Sequence, residues 1–353
     1  MGENLPENIF FENVAQILNS ARENAKTAVN ITMVYAYYEI GRTIVEEEQN
    51  GKGRAEYGKR MLQGLSEYLT EKFGKGFSIG NLKNIRQFYK TYVSDQIGET
   101  VFSQFENLPS VGNGRKFGLS WSHYLFLMRI KNIDARHFYE IEAVKNNWSL
   151  KEVKRQFDSA LYERLALSIE KNRVMELSKK GQVIERVSDA VKDPYILEFL
   201  GLEEKPEYSE SELESRIIDH LQEFLMEMGK GFTFVGRQVR FTFDEEHFKV
   251  DLVLYNRLLR SFVIVDLKIG KLKHQDIGQM QMYVNYYDRY EKTEDENPTI
   301  GILLCNEKSD SMVELTLPKD SNIYASKYEL YLPDKKLLQE KLIEWLEEES
   351  SNE

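Results

Sequence analysis

The sequence predicts an α + α/β chain, in which an all-helical N-terminal domain precedes an α/β domain with the core order helix, strand, strand, strand, helix, strand. Apolar residues recur at helical spacing through the first half, and no clear strand pattern occurs before residue 230. Beyond residue 230, short runs rich in β-branched and aromatic residues alternate with helical patterns. The length of 353 residues also suits two domains of ordinary size.

The first half is predicted to consist of helices joined by short breaks. The predicted helices cover residues 9–28, 30–48, 55–73, 78–92, 120–131, 134–146 and 149–168. Ser149 and Glu152 form a capping box at the start of the last of these helices. Residues 94–119 are polar and contain Pro109, so we expect a loop there.

The boundary between the domains is expected near residues 185–205. Residues 169–208 contain a glycine that interrupts the helical pattern and two prolines that flank a short apolar stretch. We therefore assign residues 1–190 to a helical domain and residues 191–353 to the α/β domain.

The second half alternates between strands and helices. The predicted order is a helix at 211–228, strands at 232–243, 247–255 and 260–267, a helix at 275–291, strands at 299–305 and 323–331, and a helix at 334–349. The links between the first three strands are short, so these strands should form an antiparallel meander. The run at 260–267 is apolar almost throughout, as expected of a central strand that is buried on both faces.

The composition excludes several classes of protein. With 41% hydrophobic residues the chain can build packed cores, so general disorder is excluded. No segment is long and apolar enough to span a membrane, and residues 1–30 lack the pattern of a secretory signal. The single cysteine, Cys305, permits neither an intrachain disulfide nor a cysteine-rich zinc site. These features predict a cytoplasmic protein.

The charge is unevenly distributed along the chain, whose net charge is −11. Residues 51–190 carry 24 Lys and Arg against 16 Asp and Glu, whereas residues 191–353 carry 20 against 34. A protein that coats nucleic acid through its total charge is therefore excluded. A local basic surface beside an acidic site that collects cations is compatible with this distribution.

Two neighbouring predicted strands each carry an acidic residue within an apolar run. Asp251 lies in FKVDLVLY and Asp266 in FVIVDLKIG, where Lys268 follows on the same face of the strand. Burying these charges is costly unless a partner compensates them, and carboxylates are the ligands that Mg²⁺ takes from proteins. Asp251 and Asp266 are therefore candidate metal ligands, and Lys268 could orient water or stabilise charge on a phosphate. The alternative is an ion pair of Lys268 with either acid and no chemistry.

These residues and their place in the predicted elements resemble the PD-(D/E)xK nuclease superfamily, with the motif present as VD and, fifteen positions later, DLK. The resemblance implies a restriction-endonuclease-like mixed sheet, a cofactor of Mg²⁺ or Mn²⁺, and catalytic roles for Asp251, Asp266 and Lys268. It also implies an acidic metal ligand on the preceding helix, for which Glu214 is the first choice and Glu212 the second. Many members have glutamate where this chain has Asp266, whose shorter side chain would shift a bound metal.

The helix after the motif adds a second element to the resemblance. Gln279 and Tyr283 lie four residues apart and share a helix face. They resemble the QxxxY element of exonuclease-type members of the superfamily, which implies that both residues belong to the active site. The alternative is structural, with Tyr283 in the core and Gln279 on the surface.

The sequence also resembles a narrower family of bacterial two-domain proteins, in which a helical domain of unknown function precedes a predicted PD-(D/E)xK domain. The resemblance spans residues 10–345 and is carried by the strings GKGFSIGNLKNIRQFYKTY, LSWSHYLFLMRI, DPYILEFLGL, GFTFVGRQVRF, VDLVLYN, GQMQMYVNYYDRY and NPTIGILLC. It implies a nuclease that acts on DNA, near restriction or mobile-element systems.

Two other functions stay open on the sequence alone. One is a catalytically silent protein of nucleic-acid binding or assembly on the same fold, and the other is an enzyme that cleaves RNA. The sequence also leaves open a homo-oligomer. It contains no P-loop, no Rossmann glycine pattern and no nucleophile elbow, so nothing supports an ATP-driven or acyl-transfer function.

Basic residues of the helical domain are candidates for binding nucleic acid. One stripe on the predicted helix 78–92 consists of Lys83, Arg86 and Lys90. Helices 134–146 and 149–168 resemble a helix-turn-helix, in which the start of the second helix enters the major groove. The basic residues at that start are Lys151, Lys154 and Arg155. The alternative is that both stripes are ordinary solvated faces.

Overall fold

The computed structural model describes residues 5–50, 55–93, 116–168, 171–202, 208–317 and 321–347. The chain divides into two compact units, Met1–Lys154 with Ser178–Gly181, and Arg155–Leu177 with Gln182–Glu353. The second unit therefore starts before the predicted boundary at residue 190, which stays a prediction. Most of the predicted loop at 94–119, including Pro109, lies outside the described residues, as does Pro206 in the predicted boundary region.

The described residues before the sheet are helical, as predicted. The helices are α1 (Leu5–Asn50), α2 (Ala55–Phe73), α3 (Ile79–Tyr92), α4 (Trp121–Leu127), α5 (Ile133–Lys145), α6 (Leu150–Asp158), α7 (Leu161–Ser168), α8 (Lys171–Lys180) and α9 (Val187–Ala190). Two predicted bounds are wrong. The predicted helices 9–28 and 30–48 form one helix, because no glycine or proline separates them. The predicted helix 149–168 is interrupted where Ala160 adopts a left-handed φ of 53°.

Aromatic side chains form much of the core of the helical unit. The ring of Phe88 lies 5.0–5.3 Å, between centroids, from the rings of Tyr92, Phe117, Trp121 and Tyr124. Phe88, Tyr92, Phe117 and Tyr124 are fully buried, so these four rings stabilise the unit and are closed to stacking on a base.

The second unit is built on a six-stranded mixed sheet. The strands are β1 (Tyr195–Ile196), β2 (Phe232–Phe243), β3 (Glu246–Asn256), β4 (Ser261–Lys271), β5 (Ile300–Glu307) and β6 (Ile323–Glu329), in the spatial order β1-β6-β5-β4-β3-β2. The predicted antiparallel meander of β2, β3 and β4 is confirmed, and the other pairings are parallel. Strand β1 was not predicted, because two residues are too few to show a period.

Helices flank this sheet. They are α10 (Glu210–Asp219), α11 (Leu221–Met228), α12 (His274–Tyr286), α13 (Asp310–Thr316) and α14 (Lys335–Glu347). The predicted helix 211–228 is divided at His220, and the predicted helix 275–291 ends in a π turn at Tyr287–Glu291. None of the helices within the described ranges combines the length and apolar character that a membrane span needs.

Strand β4 is buried on both faces, as predicted. Val265 and Leu267 join an apolar cluster with residues of α10 and α11, whereas Ile264 joins a cluster with residues of α12. Side chains alternate along a strand, so Asp266 points toward the α12 side. An ionisable residue in the centre of this sheet is therefore exposed to little solvent.

Candidate active site

Strands β3 and β4 separate at the position of the two predicted acids. Their ladder ends at the pair Leu252–Val265. Beyond this pair, the Leu267 N–H donates a hydrogen bond to Oδ2 of Asp251, at 2.9 Å, instead of to a strand carbonyl. The fork brings the side chain of Asp251 close enough to that of Asp266 for its charge to raise the pKa of Asp266.

Asp266 is a buried carboxylate with incomplete compensation. Only 2% of the residue is exposed. Nζ of Lys268 lies 2.8 Å from Oδ2 of Asp266, on the same face of β4, but this oxygen has no aligned hydrogen bond. Burial raises the pKa of Asp266 to about 7; the charge of Asp251 adds to the rise and Lys268 opposes it. One more cation beside Asp251 and Asp266 would complete the compensation of their charge.

Lys268 is held as a cation by the acids around it. Burial by itself would lower the pKa of Lys268, but Asp266, Glu210 and Asp251 outweigh burial and raise the pKa above its usual value. Glu210 of α10 lies 3.8 Å from Nζ of Lys268, and its carboxylate also accepts a hydrogen bond from the Ile269 N–H at 3.3 Å. Lys268 is therefore suited to electrostatic stabilisation rather than to general base catalysis.

Glu214 of α10 reaches the same group of acids through an amide. Its carboxylate accepts a short hydrogen bond from Nε2 of Gln238, which lies 3.4 Å from Oδ1 of Asp251. Burial raises the pKa of Glu214 and the charge of Asp251 adds to this, whereas Arg237 and Lys249 lower it. Glu214 thus lies one side chain away from Asp251.

The second choice for the helix acid, Glu212, has a different role. Its carboxylate accepts a hydrogen bond from the Ser209 N–H at 2.6 Å, and its own N–H donates to the Ser209 hydroxyl. This reciprocal capping box fixes the start of α10. The geometry therefore favours Glu214 over Glu212 as the acid that faces Asp251.

Gln238 and Glu210 are site residues that the sequence reasoning missed. The ladder of β2 and β3 is irregular between Phe234 and Gly236, and Gln238 has a left-handed φ of 51° two positions later. Bulges of this kind re-aim side chains beside functional sites. In the sequence, the only signal for this bulge was Gly236 inside the predicted strand 232–243. The four-residue spacing of Glu210 and Glu214 on one helix was available as a signal for Glu210.

Gln279 and Tyr283 of α12 form a pair, as their spacing predicts. Nε2 of Gln279 lies 2.5 Å from the hydroxyl of Tyr283, which donates to the backbone carbonyl of Lys249 at 2.9 Å. Burial raises the pKa of Tyr283 and the charges of Asp266 and Asp251 contribute. The pair therefore lies over β3 near the acids, and Tyr283 also packs in the core.

The acids fit a hard divalent cation bound mainly by two carboxylates. Within the described ranges, no set of three His, Cys, Asp or Glu side chains is gathered closely enough to hold a metal ion by itself. Mg²⁺ does not require such a cage, because it is commonly held by one or two carboxylates together with water and substrate phosphate. Asp251 and Asp266 supply two, and the buried carboxylate of Asp266, which Lys268 compensates only in part, is the kind of donor that such a cation takes.

Two exposed basic residues lie opposite each other on β2 and β3. Arg240 pairs with Lys249 in the ladder, two residues before Asp251. Like charges directly opposite each other destabilise an antiparallel pair. A bound anion between them removes that repulsion, so this part of the sheet favours a negatively charged ligand beside the acids.

The predicted basic stripe on α3 is partly neutralised by α1. Arg86 donates to Oε1 of Glu48 at 2.5 Å, and Nζ of Lys90 lies 3.8 Å from Oε2 of the same residue. Lys83 is exposed. Asn81, on the same helix, donates to the Gly76 carbonyl and accepts from the Trp121 indole. The three cations do lie along one helix, and their role in binding nucleic acid stays a prediction.

The second set of basic residues is not brought together. Lys151 and Lys154 are exposed. The guanidinium of Arg155 instead lies 2.8 Å from Oε1 of Glu198 and 3.5 Å from Oε2 of the buried Glu227. Arg155 therefore forms ion pairs within the second unit. Phosphate binding by Lys151, Lys154 and Arg155 together stays a prediction.

Comparison with known proteins matches both halves of the chain to described families. The family described as the YhcG PDDEXK nuclease domain matches residues 188–343, and the DUF1016 N-terminal domain matches residues 13–164. The protein YhcG of Escherichia coli (strain K12), whose name marks it as a candidate nuclease, is 38% identical over 348 residues. That alignment covers 94% of this chain and 92% of the relative.

Two solved structures are also similar to this chain. A repair endonuclease from Pyrococcus abyssi is 20% identical, with a TM-score of 0.24, and the match covers 37% of this chain and 50% of the other. A complex of EndoMS with double-stranded DNA is 17% identical, with a TM-score of 0.26, over 38% and 50% of the two chains. The present chain matches two family models, and it is 38% identical to YhcG along nearly its full length. These matches show that this chain belongs to the YhcG family, with a DUF1016 N-terminal domain followed by a PDDEXK nuclease domain.

Proposed function

We propose that this protein is a nuclease that hydrolyses phosphodiester bonds in DNA at the fork between β3 and β4 and depends on Mg²⁺ or Mn²⁺. The observation that carries the proposal is the meeting of Asp251, Asp266 and Lys268 in that fork, where Asp266 is buried and only partly compensated. A structural ion pair needs only one acid opposite Lys268, whereas here two neighbouring carboxylates lie beside it, and the charge of Asp251 helps to raise the pKa of Asp266.

Each residue has a chemical role in this proposal. Asp251 and Asp266 would hold the cation and Glu214 would complete its surroundings, either directly or through water. A bound divalent cation lowers the pKa of its water and draws negative charge from a phosphate. Lys268, as a cation, stabilises the charge that develops on the phosphate during attack. Gln279 and Tyr283 position the substrate strand from α12.

The remainder of the proposed DNA contact involves the basic residues. Arg240 and Lys249 lie next to the acids and would bind phosphates on either side of the bond that is cleaved. The stripe of Lys83, Arg86 and Lys90 would add contacts from the helical domain. These contacts are independent of sequence, so the proposal assigns no recognition site.

Cleavage assays test this proposal directly. The protein is incubated with Mg²⁺, with Mn²⁺ or with EDTA, and with linear duplex, circular duplex, single-stranded DNA and RNA. We expect metal-dependent cleavage of DNA that Asp251→Asn and Asp266→Asn abolish without loss of folding. Cleavage of RNA alone would assign the RNA substrate instead. Binding without cleavage of any substrate would favour the silent binding protein.

A further inference from the structure

A second concave surface lies beside the candidate active site and is lined by aromatic rings. This aromatic groove is formed by Phe241 and Phe243 at the end of β2 and by Gly278, Met282, Tyr286 and Tyr290 along α12 and its π turn. Its volume is about 340 Å³, at the lower end of the range of small-ligand sites, about 300–1,000 Å³. It therefore suits one flat group better than a folded partner.

The rings of the groove are ordered and partly open to solvent. Phe241 and Tyr286 stack with centroids 3.9 Å apart and planes 18° apart, and Tyr290 lies 5.2 Å from Tyr286. Tyr290 is 60% exposed and Phe243 is 52% exposed. Phe243 and Tyr290 are therefore the rings that the groove presents to solvent, whereas Phe241 is part of the core.

Polar residues of the groove add donors and acceptors of a particular kind. The side-chain amides of Gln281 and Asn285 and the guanidinium of Arg289 line it, and all three residues are exposed. Amide groups can pair with the edges of nucleobases, and a guanidinium can bind a phosphate or stack on a ring. Aromatic faces, amides and one cation together match an unpaired nucleotide.

Gly278 keeps the groove open at a cost to its helix. Glycine inside a helix is destabilising relative to alanine, because it loses more backbone freedom on folding. A Cβ added at Gly278 would meet no atom within 4 Å, so packing does not require the glycine. A larger side chain at this position would instead stand in the groove, whose lining includes Gly278.

The groove is joined to the candidate active site through two rings. Phe241 lies edge-on to Tyr283, with centroids 5.7 Å apart, and the Tyr283 hydroxyl bonds with Gln279. Tyr283 in turn lies close enough to Asp251 and Asp266 for their charges to help raise the pKa of its hydroxyl. A nucleic-acid strand that places one phosphate at Asp251 and Asp266 can therefore place a nearby base in the aromatic groove.

We propose that the aromatic groove binds an unpaired nucleobase of the strand whose backbone lies at the acids, so that the nuclease domain prefers substrates with a single-stranded segment beside the cleaved bond. This inference rests on the proposed function for its location, but it concerns binding. Bases in a duplex are stacked on one another and cannot offer a free face to Phe243 or Tyr290.

Binding in EDTA tests the inference without depending on cleavage. The full chain is titrated into a fluorescently labelled 12-nucleotide single strand and into the matched duplex, and affinity is measured by anisotropy. Tyr290→Ala removes a ring, and Gly278→Met fills the groove while favouring the helix. Tyr331→Ala, a tyrosine that is 49% exposed and does not line the groove, is the matched control.

We expect both groove variants to weaken single-strand binding five- to hundredfold, as expected from the loss of stacking on one base at about 1–3 kcal/mol. Duplex affinity should be unchanged, as should both affinities of Tyr331→Ala. In strands with one abasic position, the wild type should lose affinity at one position relative to the labelled end, and Tyr290→Ala should lose this sensitivity.

Other outcomes separate the two proposals. The groove proposal is overturned if both groove variants keep the wild-type affinity for the single strand, even if the protein cleaves DNA. Circular dichroism spectra and melting temperatures as in the wild type show that the variants are folded. Equal weakening of duplex and single-strand binding also overturns it. Groove-dependent binding by a protein that cleaves nothing supports the groove and overturns the nuclease proposal.

Discussion

Asp266 is a residue at which function and stability should oppose each other. Its pKa in the folded state is raised to about 7, well above the ordinary value near 4. The folded state therefore favours the protonated carboxyl, and the contribution of Asp266 to stability is complete below about pH 4 and is lost as the pH rises through 7. Asn resembles the protonated form at every pH.

We therefore expect Asp266→Asn to abolish cleavage and yet to raise the free energy of unfolding at pH 8, in metal-free buffer, by about 1–3 kcal/mol. The difference from the wild type should shrink toward zero by pH 4. Urea unfolding across this range measures it, and Asp244→Asn, in an exposed turn, is the control. An Asp266→Asn protein that is less stable at pH 8 would contradict the reasoning.

Substitution of Lys268 distinguishes a catalytic role of its positive charge from a purely structural one. Lys268→Met removes the positive charge next to Asp266 and Glu210, so the acids should hold a divalent cation as tightly as before or more tightly. Cleavage should fall by about a hundredfold or more, the usual effect of removing one electrostatic group from an active site. Mn²⁺ titration and single-turnover cleavage measure the two effects, with Lys271→Met, an exposed lysine of β4, as control. Unchanged turnover would show that Lys268 is no catalyst.

The sequence revealed the residues of the site whose surroundings are unusual for their type. Asp251 and Asp266 were visible because acids rarely occur inside apolar strands, and Lys268 followed from alternation along β4. Gln238 was not visible, because a polar residue on an edge strand is ordinary and its left-handed backbone comes from a bulge that pairing with β3 creates. Such a residue is identified only when the register is known.

At the scale of elements, the buried carboxylate of Glu227 connects α6, α7, α11 and β1. It accepts from Arg164 at 2.9 Å and from the Ile196 N–H at 3.0 Å, and Arg155 lies 3.5 Å away. Burial by itself would raise the pKa of Glu227, but Arg164, Lys192 and Arg155 outweigh burial and hold the pKa at about 2. Glu227→Gln should therefore lower the free energy of unfolding at pH 7 by about 3–5 kcal/mol.

This effect has a defined pH dependence. Because the folded pKa lies below the ordinary value near 4.3, the stabilisation by ionised Glu227 is present above about pH 4.5 and is lost as the pH falls toward 2. The unfolding free energies of Glu227→Gln and the wild type should converge over that interval. Denaturant unfolding at several pH values measures this, with Glu340→Gln on the exposed side of α14 as control. A constant difference down to pH 2.5 would exclude this account.

The stripe on α3 makes a prediction about salt. Alanine at Lys83, Arg86 and Lys90 together should reduce the slope of log affinity for duplex DNA against log salt by about two units, because Glu48 already offsets one of the three charges. Glu48→Ala should strengthen binding by releasing Arg86, and Lys59→Ala on α2 serves as the control. If the triple variant keeps the wild-type slope, the stripe is an ordinary solvated face.

Element types were predictable where the periodicity was long, and their bounds were not. The helices around Asn30 merge because nothing in the sequence forbids a helix there. The break at Ala160 has no glycine or proline to announce it, and the buried Arg164 bonds back to the Ser159 carbonyl across it. Tertiary contacts of this kind decide where helices end, and a pattern of apolar residues does not contain them.

At the scale of the whole molecule, the sheet-containing unit begins earlier in the chain than the predicted nuclease domain. The family match starts at residue 188, and the predicted boundary lies at residue 190. Yet residues 155–177 belong to the same compact unit as the sheet. Nζ of Lys335 donates to the Phe157 carbonyl at 2.6 Å, and Gln339 donates to Glu163 at 2.9 Å.

We therefore expect a fragment of residues 150–353 to fold cooperatively and a fragment of residues 191–353 to be much less stable. The shorter fragment lacks Arg155 and Arg164, which leaves the carboxylate of Glu227 buried without two of its three cations. A loss of about 3–5 kcal/mol corresponds to a melting temperature about 10 °C lower in a domain of this size.

Thermal unfolding of both fragments measures the difference, and Glu227→Gln provides the internal check. This change should destabilise the longer fragment strongly and the shorter one much less, because a neutral amide then replaces a charge that has lost two partners. Equal melting temperatures for the two fragments would instead favour the boundary at residue 190 and show that α6 and α7 add nothing to the nuclease domain.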